Sequence, residues 1–273
     1  MTISSSDSGR PPTPELRTNA AHSARVWNYW LGGKDNYKVD RDVAEQLAET
    51  FPGIREIARQ TRQFLVRAVR YLVAEEGIRQ FLDIGTGLPT ANNTHEIAQS
   101  IVPQARIVYV DNDPLVLVHA RALLTSSPEG VTDYIESDVR DPDKIIREAA
   151  RTLNFAQPIA LIMLAIMGHV PDSGNPQATV SRLVGALPSG SYLMLSDDTD
   201  IDVANNEATR IYNQNPDNAT PYYLRSPEQI TRFFDGLEPV EPGVVPASQW
   251  RPALSRWGEA VKISHYAGVA RKP

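Results

Sequence analysis

The sequence predicts an α/β protein with a mostly parallel sheet and helices on both of its faces. From residue 80 to residue 196, short apolar runs alternate with segments of helical periodicity, which is the pattern of repeated βαβ units. A second observation is the run Phe81-Leu82-Asp83-Ile84-Gly85-Thr86-Gly87, in which an apolar strand ends at a turn that contains two glycines. Such a turn is typical of the ligand-binding edge of a parallel sheet.

The composition excludes several classes of protein. A chain of 273 residues with 41% hydrophobic and 22% charged residues has enough apolar surface for a sizeable core. The net charge of -6 disfavours a nucleic-acid partner, because phosphate binding relies on clustered Lys and Arg. Cysteine is absent, which excludes disulfides, thiolate metal sites and cysteine nucleophiles. The longest apolar run, residues 159–167, is too short to cross a bilayer and the N-terminus has no signal core, so we expect a cytoplasmic protein without membrane contact.

The first part of the chain is predicted to contain a tail and a helical cover. Residues 1–20 are rich in Ser, Pro and Thr and are predicted to be disordered. Residues 21–77 are predicted to form the cover. Its predicted helices are a short one before the Gly32-Gly33 turn, a second with Asp40 as its N-cap, and an amphipathic one over residues 54–76 that ends at a left-handed Gly77.

Residues 78–273 are predicted to form the sheet domain. Asp113-Pro114 and Asp141-Pro142 each place an acidic N-cap before a proline at the first helical position. The predicted strands are 80–84, 106–111, 132–136, 159–165 and 191–196, and the predicted helices lie near 91–101, 114–125, 142–153 and 177–187.

The pattern changes after Ser196. Asp197-Asp198-Thr199-Asp200 is predicted to open a polar helix within an insertion of about residues 200–235, in which Ser226 to Gln229 form a capping box. Two late strands are predicted at 237–245 and 264–270, with a loop over residues 250–257 between them. The acidic run could also hold a divalent cation, but the capping role is favoured and no metal is expected.

The glycine turn is the first candidate site. Gly85 and Gly87 allow the backbone to bend sharply and to approach a ligand closely, with Thr86 between them. The acid before the glycines, Asp83, favours S-adenosylmethionine (SAM) over NAD, because NAD sites usually run directly from the strand into the glycine loop. We expect Asp83 to orient the loop or to hold the methionine ammonium of SAM.

Two neighbouring strand tips carry further acids. Asp111 ends the second predicted strand, where its carboxylate can accept hydrogen bonds from both ribose hydroxyls, with Asn112 beside the same sugar. Asp138 and Val139 follow the third strand. There a carboxylate can accept a hydrogen bond from the adenine amine, and an apolar side chain can contact the adenine ring. Each tip has a structural alternative, a turn residue or a helix cap, but three adjacent tips together predict one nucleoside site.

The fourth strand tip is expected to border the reacting atoms. Leu164 would lie near the sulfonium, and His169 could deprotonate an acceptor because imidazole titrates near neutral pH. A structural role is the alternative for a single histidine in a loop. Tyr29 is the second candidate for this catalytic role, in a segment whose aromatic residues, Trp27 and Trp30 among them, either pack the core or wall the cofactor pocket.

Two runs of residues resemble the signatures of a known family. Residues 24–37 contain Gly32-Gly33-Lys34-Asp35-Asn36, and residues 79–90 end in Gly87-Leu88-Pro89-Thr90. In both runs the chain is similar to an actinobacterial family of SAM-dependent methyltransferases formerly catalogued as a domain of unknown function. The resemblance implies a Rossmann-like class I methyltransferase with a seven-stranded sheet, its last strand antiparallel, and an N-terminal helical cover over the cofactor.

The resemblance also implies a function and further site residues. It places Tyr29, Gly32, Gly33 and Lys34 in the cover near the pocket, while Trp27 and Trp30 depart from the family pattern. We therefore expect in-line methyl transfer from SAM to a small or medium-sized acceptor, which the resemblance does not identify, and a homodimer is one oligomeric state open to the chain. Two alternatives are a SAM-binding module that transfers no methyl group and, with less support, an NAD-dependent oxidoreductase.

Overall fold

The computed structural model describes residues 19–123, 125–215, 218, 220–252 and 261–273. The predicted tail, residues 1–20, lies outside the described residues except for its last two. Residues 253–257 of the predicted loop over 250–257 lie outside them as well.

One mixed sheet forms the centre of the described structure. Its strand order is β3-β2-β1-β4-β5-β8-β6, and β7 pairs with β8. Strands β1 to β5 are parallel, and β8 is antiparallel to β5. The strands are β1 Gln80–Ile84, β2 Arg106–Asp111, β3 Val131–Glu136, β4 Ala160–Leu164, β5 Tyr192–Asp198, β6 Glu238–Pro239, β7 Val245–Pro246 and β8 His265–Arg271.

The sheet confirms the Rossmann-like fold class, with one difference at its end. The predicted strand over residues 237–245 is split into β6 and β7, so the described sheet has eight strands where seven were expected. The segment between the two strands contains Pro242 and Gly243, and the Gly243 amide donates to the Val240 carbonyl over 2.9 Å. β6 and β7 run in the same direction along β8. Because proline has no amide hydrogen and the turn interrupts the pairing with β8, one continuous strand does not form there.

The helices cover both faces of the sheet. They are α1 Ser23–Trp30, α2 Lys38–Thr50, α3 Ile54–Ala74, α4 Thr94–Ile101, α5 Pro114–Leu123, α6 Pro142–Ala149, α7 Pro176–Ala186, α8 Val203–Gln214 and α9 Pro227–Thr231. One apolar core contains residues of α6, α7 and α9, and the core on the opposite face contains residues of α3 and α4. None of the helices in the described part of the chain combines the length and the apolar character needed to cross a bilayer.

Several predicted helix ends are confirmed. Asp141 accepts from the Lys144 amide over 3.1 Å, and Asp113 accepts from the Leu115 amide over 2.9 Å. The capping box that begins α9 at Ser226 is present. Gly77 adopts the left-handed conformation after α3, at φ +70.

The prediction that the acids after Ser196 open a helix is wrong. β5 continues through Asp197 and Asp198, and α8 begins at Val203 with Asp202 as its N-cap. Within the strand, Asp197 accepts a hydrogen bond from the Tyr222 hydroxyl, and Asp198 lies 2.9 Å from the His265 ring on β8. Partners that are distant in sequence thus allow two adjacent carboxylates to lie in a strand.

The role predicted for Asp40 is also wrong. α2 begins three residues earlier, with Tyr37 as its N-cap, and Asp40 is fully buried in its first turn. The Asp40 carboxylate accepts from the backbone amides of Tyr37 and His22, over 2.8 and 3.0 Å, and lies 3.2 Å from Nε of Arg25. Asp40 therefore joins α2 to the start of α1.

A third apolar core lies within the helical cover. It contains buried residues of α1, α2 and α8, together with Ile57 and Ala58 from the start of α3. The later part of α3, from Phe64 onward, packs on the sheet. The cover thus consists of α1, α2, α8 and the first turns of α3.

The Asp40 carboxylate is expected to carry much of the stability of the cover. Asp40→Ala leaves the buried Arg25 guanidinium without its carboxylate and should lower the free energy of unfolding by about 3–5 kcal/mol. The matched control is Asp42→Ala in the same helix, because Asp42 is 61% exposed and pairs only with exposed Lys38; its expected loss is about 0.5 kcal/mol or less. Urea denaturation measures both values, and equal losses would contradict the assigned role.

Candidate functional site

A cavity that opens to solvent lies at the carboxyl ends of β1 to β4 beneath the cover, and its space, the open part included, is about 1280 Å³. Ligands bind at this edge of an open parallel sheet because the loops after the strands converge there. Most of the predicted site residues line it: Asp83, Gly85, Thr86, Gly87, Asp111, Asn112, Asp138, Val139, Leu164 and His169. The structure thus brings together all four strand tips that the sequence indicated.

The glycine turn after β1 needs both of its glycines. Gly85 and Gly87 have φ values of +73 and +64, in the left-handed region that side chains disfavour. A Cβ atom on Gly85 would lie 2.8 Å from the Ile166 side chain, whereas one on Gly87 would meet no protein atom within 4 Å. The Gly87 amide donates to the Asp111 carboxylate over 3.0 Å, so the turn is bound to the end of β2.

Opposite charges lie at the β1 end of the cavity. Burial raises the pKa of Asp83 to about 6, although the Thr94 hydroxyl donates to its carboxyl over 2.6 Å and the nearby Arg62 guanidinium opposes the shift. Arg62 comes from α3 and donates to the Ala91 carbonyl over 3.0 Å and to the Asn93 side chain over 3.1 Å. The cavity therefore presents a carboxyl group and a guanidinium together at one end.

Asp111 is held from two sides at the end of β2. It is 6% exposed, and its carboxylate accepts from the backbone amides of Gly87 and Asp113. Burial raises the pKa of Asp111, and these two hydrogen bonds act against that shift. Each carboxylate oxygen can accept more than one hydrogen bond, so Asp111 keeps capacity for a ligand.

The β3 tip carries a carboxylate that is already paired. Asp138 accepts from Nε and Nη2 of Arg140, over 2.8 and 2.6 Å, and this pairing lowers the pKa of Asp138. A hydrogen bond from the Asn112 side chain lowers it further and joins the tips of β2 and β3. Val139 is buried beside this pair and adds an apolar surface.

His169 follows β4 in a short 3₁₀ turn, Met167–His169. Its Nδ1 lies 3.0 Å from the Pro221 carbonyl oxygen; because a carbonyl only accepts, Nδ1 carries the proton and Nε2 is the basic nitrogen. The ring packs edge-on against Tyr222, with centroids 4.9 Å apart. Burial lowers the pKa of His169 to about 4, so its imidazole is neutral at physiological pH.

The structure places three of the predicted site residues away from the cavity lining. Tyr29 lies in α1, but its hydroxyl donates to Glu45, which Arg55 also binds. Its oxygen is therefore occupied within the cover, and a catalytic role for Tyr29 is not retained. Exposed Lys34 lies outside the lining as well, so direct cofactor contact is not retained for Lys34.

Gly33 does not line the cavity, but it packs against a residue that does. A Cβ atom at Gly33 would lie 2.3 Å from the Asn28 side chain, and the Gly33 amide donates to the Asn28 carbonyl over 2.8 Å. Asn28 itself lines the cavity. The glycine pair of this turn thus allows close packing against a cavity residue and does not reach the cavity itself.

Several lining residues were not predicted from the sequence. They come from the cover and from α3, and they are His22, Ser23, Asn28, Thr61 and Arg62, together with Arg140 and Thr220. Trp27, for which the sequence left core packing and a pocket wall open, also lines the cavity. The sequence pattern does not distinguish Arg62 from other residues, because a polar side chain is ordinary on the outer face of an amphipathic helix.

These residues suit the chemical groups of SAM. The carboxyl of Asp83 and the guanidinium of Arg62 complement the ammonium and the carboxylate of a methionine moiety, and the acidic tips of β2 and β3 complement a sugar and a base. Parallel strands with these polar groups at four adjacent tips define a Rossmann-like, SAM-dependent methyltransferase of class I.

The sequence comparison agrees with this class. The model of the S-adenosyl methyltransferase family matches residues 10–273, and the chain belongs to that family. No curated protein sequence matches the chain. The predicted class of enzyme, its cofactor SAM and the family resemblance are thereby confirmed.

Solved structures of similar proteins extend over almost the whole chain. A DUF574 family protein from Streptomyces avermitilis is 42% identical, with 95% of this chain and 100% of that chain covered and a TM-score of 0.89. A protein from Thermobifida fusca assigned to the methyltransferases is 38% identical, with 96% and 98% covered and a TM-score of 0.85. A SAM-dependent methyltransferase from Anabaena variabilis, at 13% identity and a TM-score of 0.52, shares the fold.

The protonation state of His169 can be measured without a substrate. We expect its ring to titrate near pH 4 and to remain in the Nδ1-protonated neutral form at pH 7. Nitrogen–proton correlation spectra over pH 3.5 to 8 report both properties, and His169→Asn identifies the resonances. A ring that titrates near 6.5, the ordinary value for histidine, contradicts the burial described for this site.

Proposed function

We propose that the cavity at the strand tips binds SAM, with methionine at β1, ribose at β2 and adenine at β3, and that the enzyme methylates a small-molecule acceptor beside His169. The observation that carries this proposal is the convergence of Asp83, Asp111 and Asp138 on one cavity. The three side chains come from three consecutive parallel strands, so their order along the sheet matches the order of the three parts of SAM.

The β1 end is suited to the methionine part. Asp83 would accept from the ammonium, and Arg62 would bind the carboxylate, since Arg62 has a guanidinium nitrogen beyond those that bind Ala91 and Asn93. Charge-assisted hydrogen bonds of this kind contribute about 1.5–3 kcal/mol each. The open side of Gly87 leaves space for the ligand.

The β2 and β3 ends are suited to the nucleoside. Asp111 would accept from the ribose hydroxyls, with Asn112 at the rim beside the same sugar. Asp138, ionised because Arg140 lowers its pKa, would accept from the adenine amine. Val139 would contact the adenine ring, and Thr86 would lie along the connecting chain.

The fourth tip is suited to the transfer step. SAM supplies a methyl group that its sulfonium already activates. Leu164 would border that group, the cover would exclude water, and correct positioning of donor and acceptor can supply about 7–11 kcal/mol of the barrier reduction. Nε2 of His169 would receive the acceptor's proton while the bond from the acceptor to the methyl carbon forms and the carbon–sulfur bond breaks with its electron pair left on sulfur.

The small-molecule acceptor is supported by the shape of the site. The cavity lies between the cover and the sheet edge and opens to solvent, which suits a molecule that enters whole. A cytoplasmic location, the lack of nucleic-acid and membrane partners and a homodimer stay predictions of the sequence.

Binding of S-adenosylhomocysteine (SAH), the product of methyl transfer, tests the ribose position. Asp111→Asn should weaken SAH binding by about 10- to 100-fold, because a charge-assisted acceptor and the partner of the Gly87 amide are both altered. Asp143→Asn is the control: it removes the same charge from a side chain that is 67% exposed and pairs with Arg182 outside the cavity. Calorimetry measures the SAH affinity of both variants. Tighter binding of NAD than of SAH by the wild-type protein would overturn the proposal.

The pH dependence of SAH binding tests Asp83. Because the pKa of Asp83 is raised to about 6, its carboxylate takes up a proton as the pH falls through 6, and binding should weaken by about tenfold between pH 7 and pH 5. Asp83→Asn should bind SAH more weakly at pH 7 and show a flatter dependence over that range. Parallel curves for the two proteins would show that Asp83 does not contact the ammonium.

A further inference from the structure

A second cavity adjoins the first one, and its space, the part open to solvent included, is about 510 Å³. Ser23, Trp27 and His169 line both cavities. The second cavity extends from His169 into the cover, between α1, α2 and α8, and reaches the end of β5 at Asp198. The basic Nε2 atom therefore belongs to a ring that lies between the proposed cofactor site and the second cavity.

Aromatic side chains form part of the wall of the second cavity, beside aliphatic ones. Trp27, Trp30, Tyr212 and Tyr222 line it. The two tryptophan rings meet edge to face, with centroids 5.9 Å apart and an interplanar angle of 69°. Aromatic rings bind other rings in such edge-to-face and offset geometries. An aromatic ligand would therefore find partners for such contacts in this space.

The charges of the residues that line the second cavity disfavour anionic ligands. Among the described residues that line the second cavity, none is Lys or Arg, whereas Arg62 and Arg140 line the first. The second cavity carries the Asp198 carboxylate, one oxygen of which lies 2.9 Å from Nδ1 of His265. A carboxylate or phosphate on the ligand would lose its hydration without gaining a cationic partner.

We propose that this second cavity is the acceptor site and that it binds uncharged aromatic compounds, phenols or arylamines, with the hydroxyl or amine directed at Nε2 of His169. The inference rests on the proposed function, since it assigns the acceptor of that reaction. Neutral aromatic nucleophiles match the aromatic walls, the absence of cationic lining residues and the single unprotonated ring nitrogen.

The basicity of His169 separates these compounds from aliphatic amines. An aliphatic amine enters as an ammonium ion, which has no free electron pair, and an imidazole with a pKa of about 4 is too weak a base to remove its proton. An arylamine is neutral near pH 7 and already carries the electron pair. A phenol becomes strongly acidic as its oxygen is methylated, so a weak base suffices to take the proton.

Calorimetry with 2-naphthol on the SAH-saturated protein tests the assignment. Thr209 of α8 lines the second cavity, so Thr209→Phe should fill it and weaken 2-naphthol binding by about tenfold or more, and Thr209→Leu should give an intermediate loss. Val203→Phe is the matched control, because Val203 lies in the same helix and is 82% exposed; binding of 2-naphthol should stay unchanged. All three variants should bind SAH like the wild-type protein.

The charge requirement is tested in the wild-type protein alone. 2-Naphthoate, which replaces the hydroxyl of 2-naphthol by a carboxylate, should bind about tenfold or more weakly. The assignment is overturned if 2-naphthoate binds as tightly as 2-naphthol, if Thr209→Phe binds 2-naphthol normally, or if 2-naphthol does not bind while SAH does. Failure of the wild-type protein to bind SAH would instead overturn the proposed function and this inference with it.

Discussion

The hydrogen bond from the Gly87 amide to the Asp111 carboxylate fixes the relation between the two strand ends on which the cavity depends. Gly87 can make it because its φ of +64 turns the amide toward β2. A bond to a charged acceptor is stronger than one between neutral groups, and Asp111 is buried. The floor of the cavity is therefore shaped by the protein itself, and a ligand that binds there does not have to order the turn.

Much of the fold could be predicted because its signals are local. The buried strands β1 and β2 have the predicted bounds, since each is a short apolar run between polar turns. The errors occur where the decisive partner is distant in sequence. Asp197 and Asp198 look like helix-capping acids, but Tyr222 and His265 hold them in β5, and no pattern near residue 197 contains that information. Asp40 was misassigned for the same reason, because its partners include Arg25 and His22.

The residues of the candidate site could be predicted, or not, for the same reason. Residues at strand tips, such as Asp83 and Asp138, could be predicted because parallel strands bring their carboxyl ends to one edge. Residues from helices could not, because the position of Arg62 over the glycine turn depends on how α3 packs on the sheet. Tyr29 is the converse case: its place in an aromatic segment suggested the pocket, but in the structure its hydroxyl donates to Glu45 outside the cavity lining.

The unbroken path of α3 through two cores restricts how the entrance can open. Its first turns belong to the core of the cover, and its later turns belong to the core on the sheet. A rigid helix shared in this way cannot swing with the cover unless it leaves the sheet. We therefore expect α3 to stay on the sheet when α1 and α2 move, with the chain bending before α3 at the Pro52-Gly53 turn.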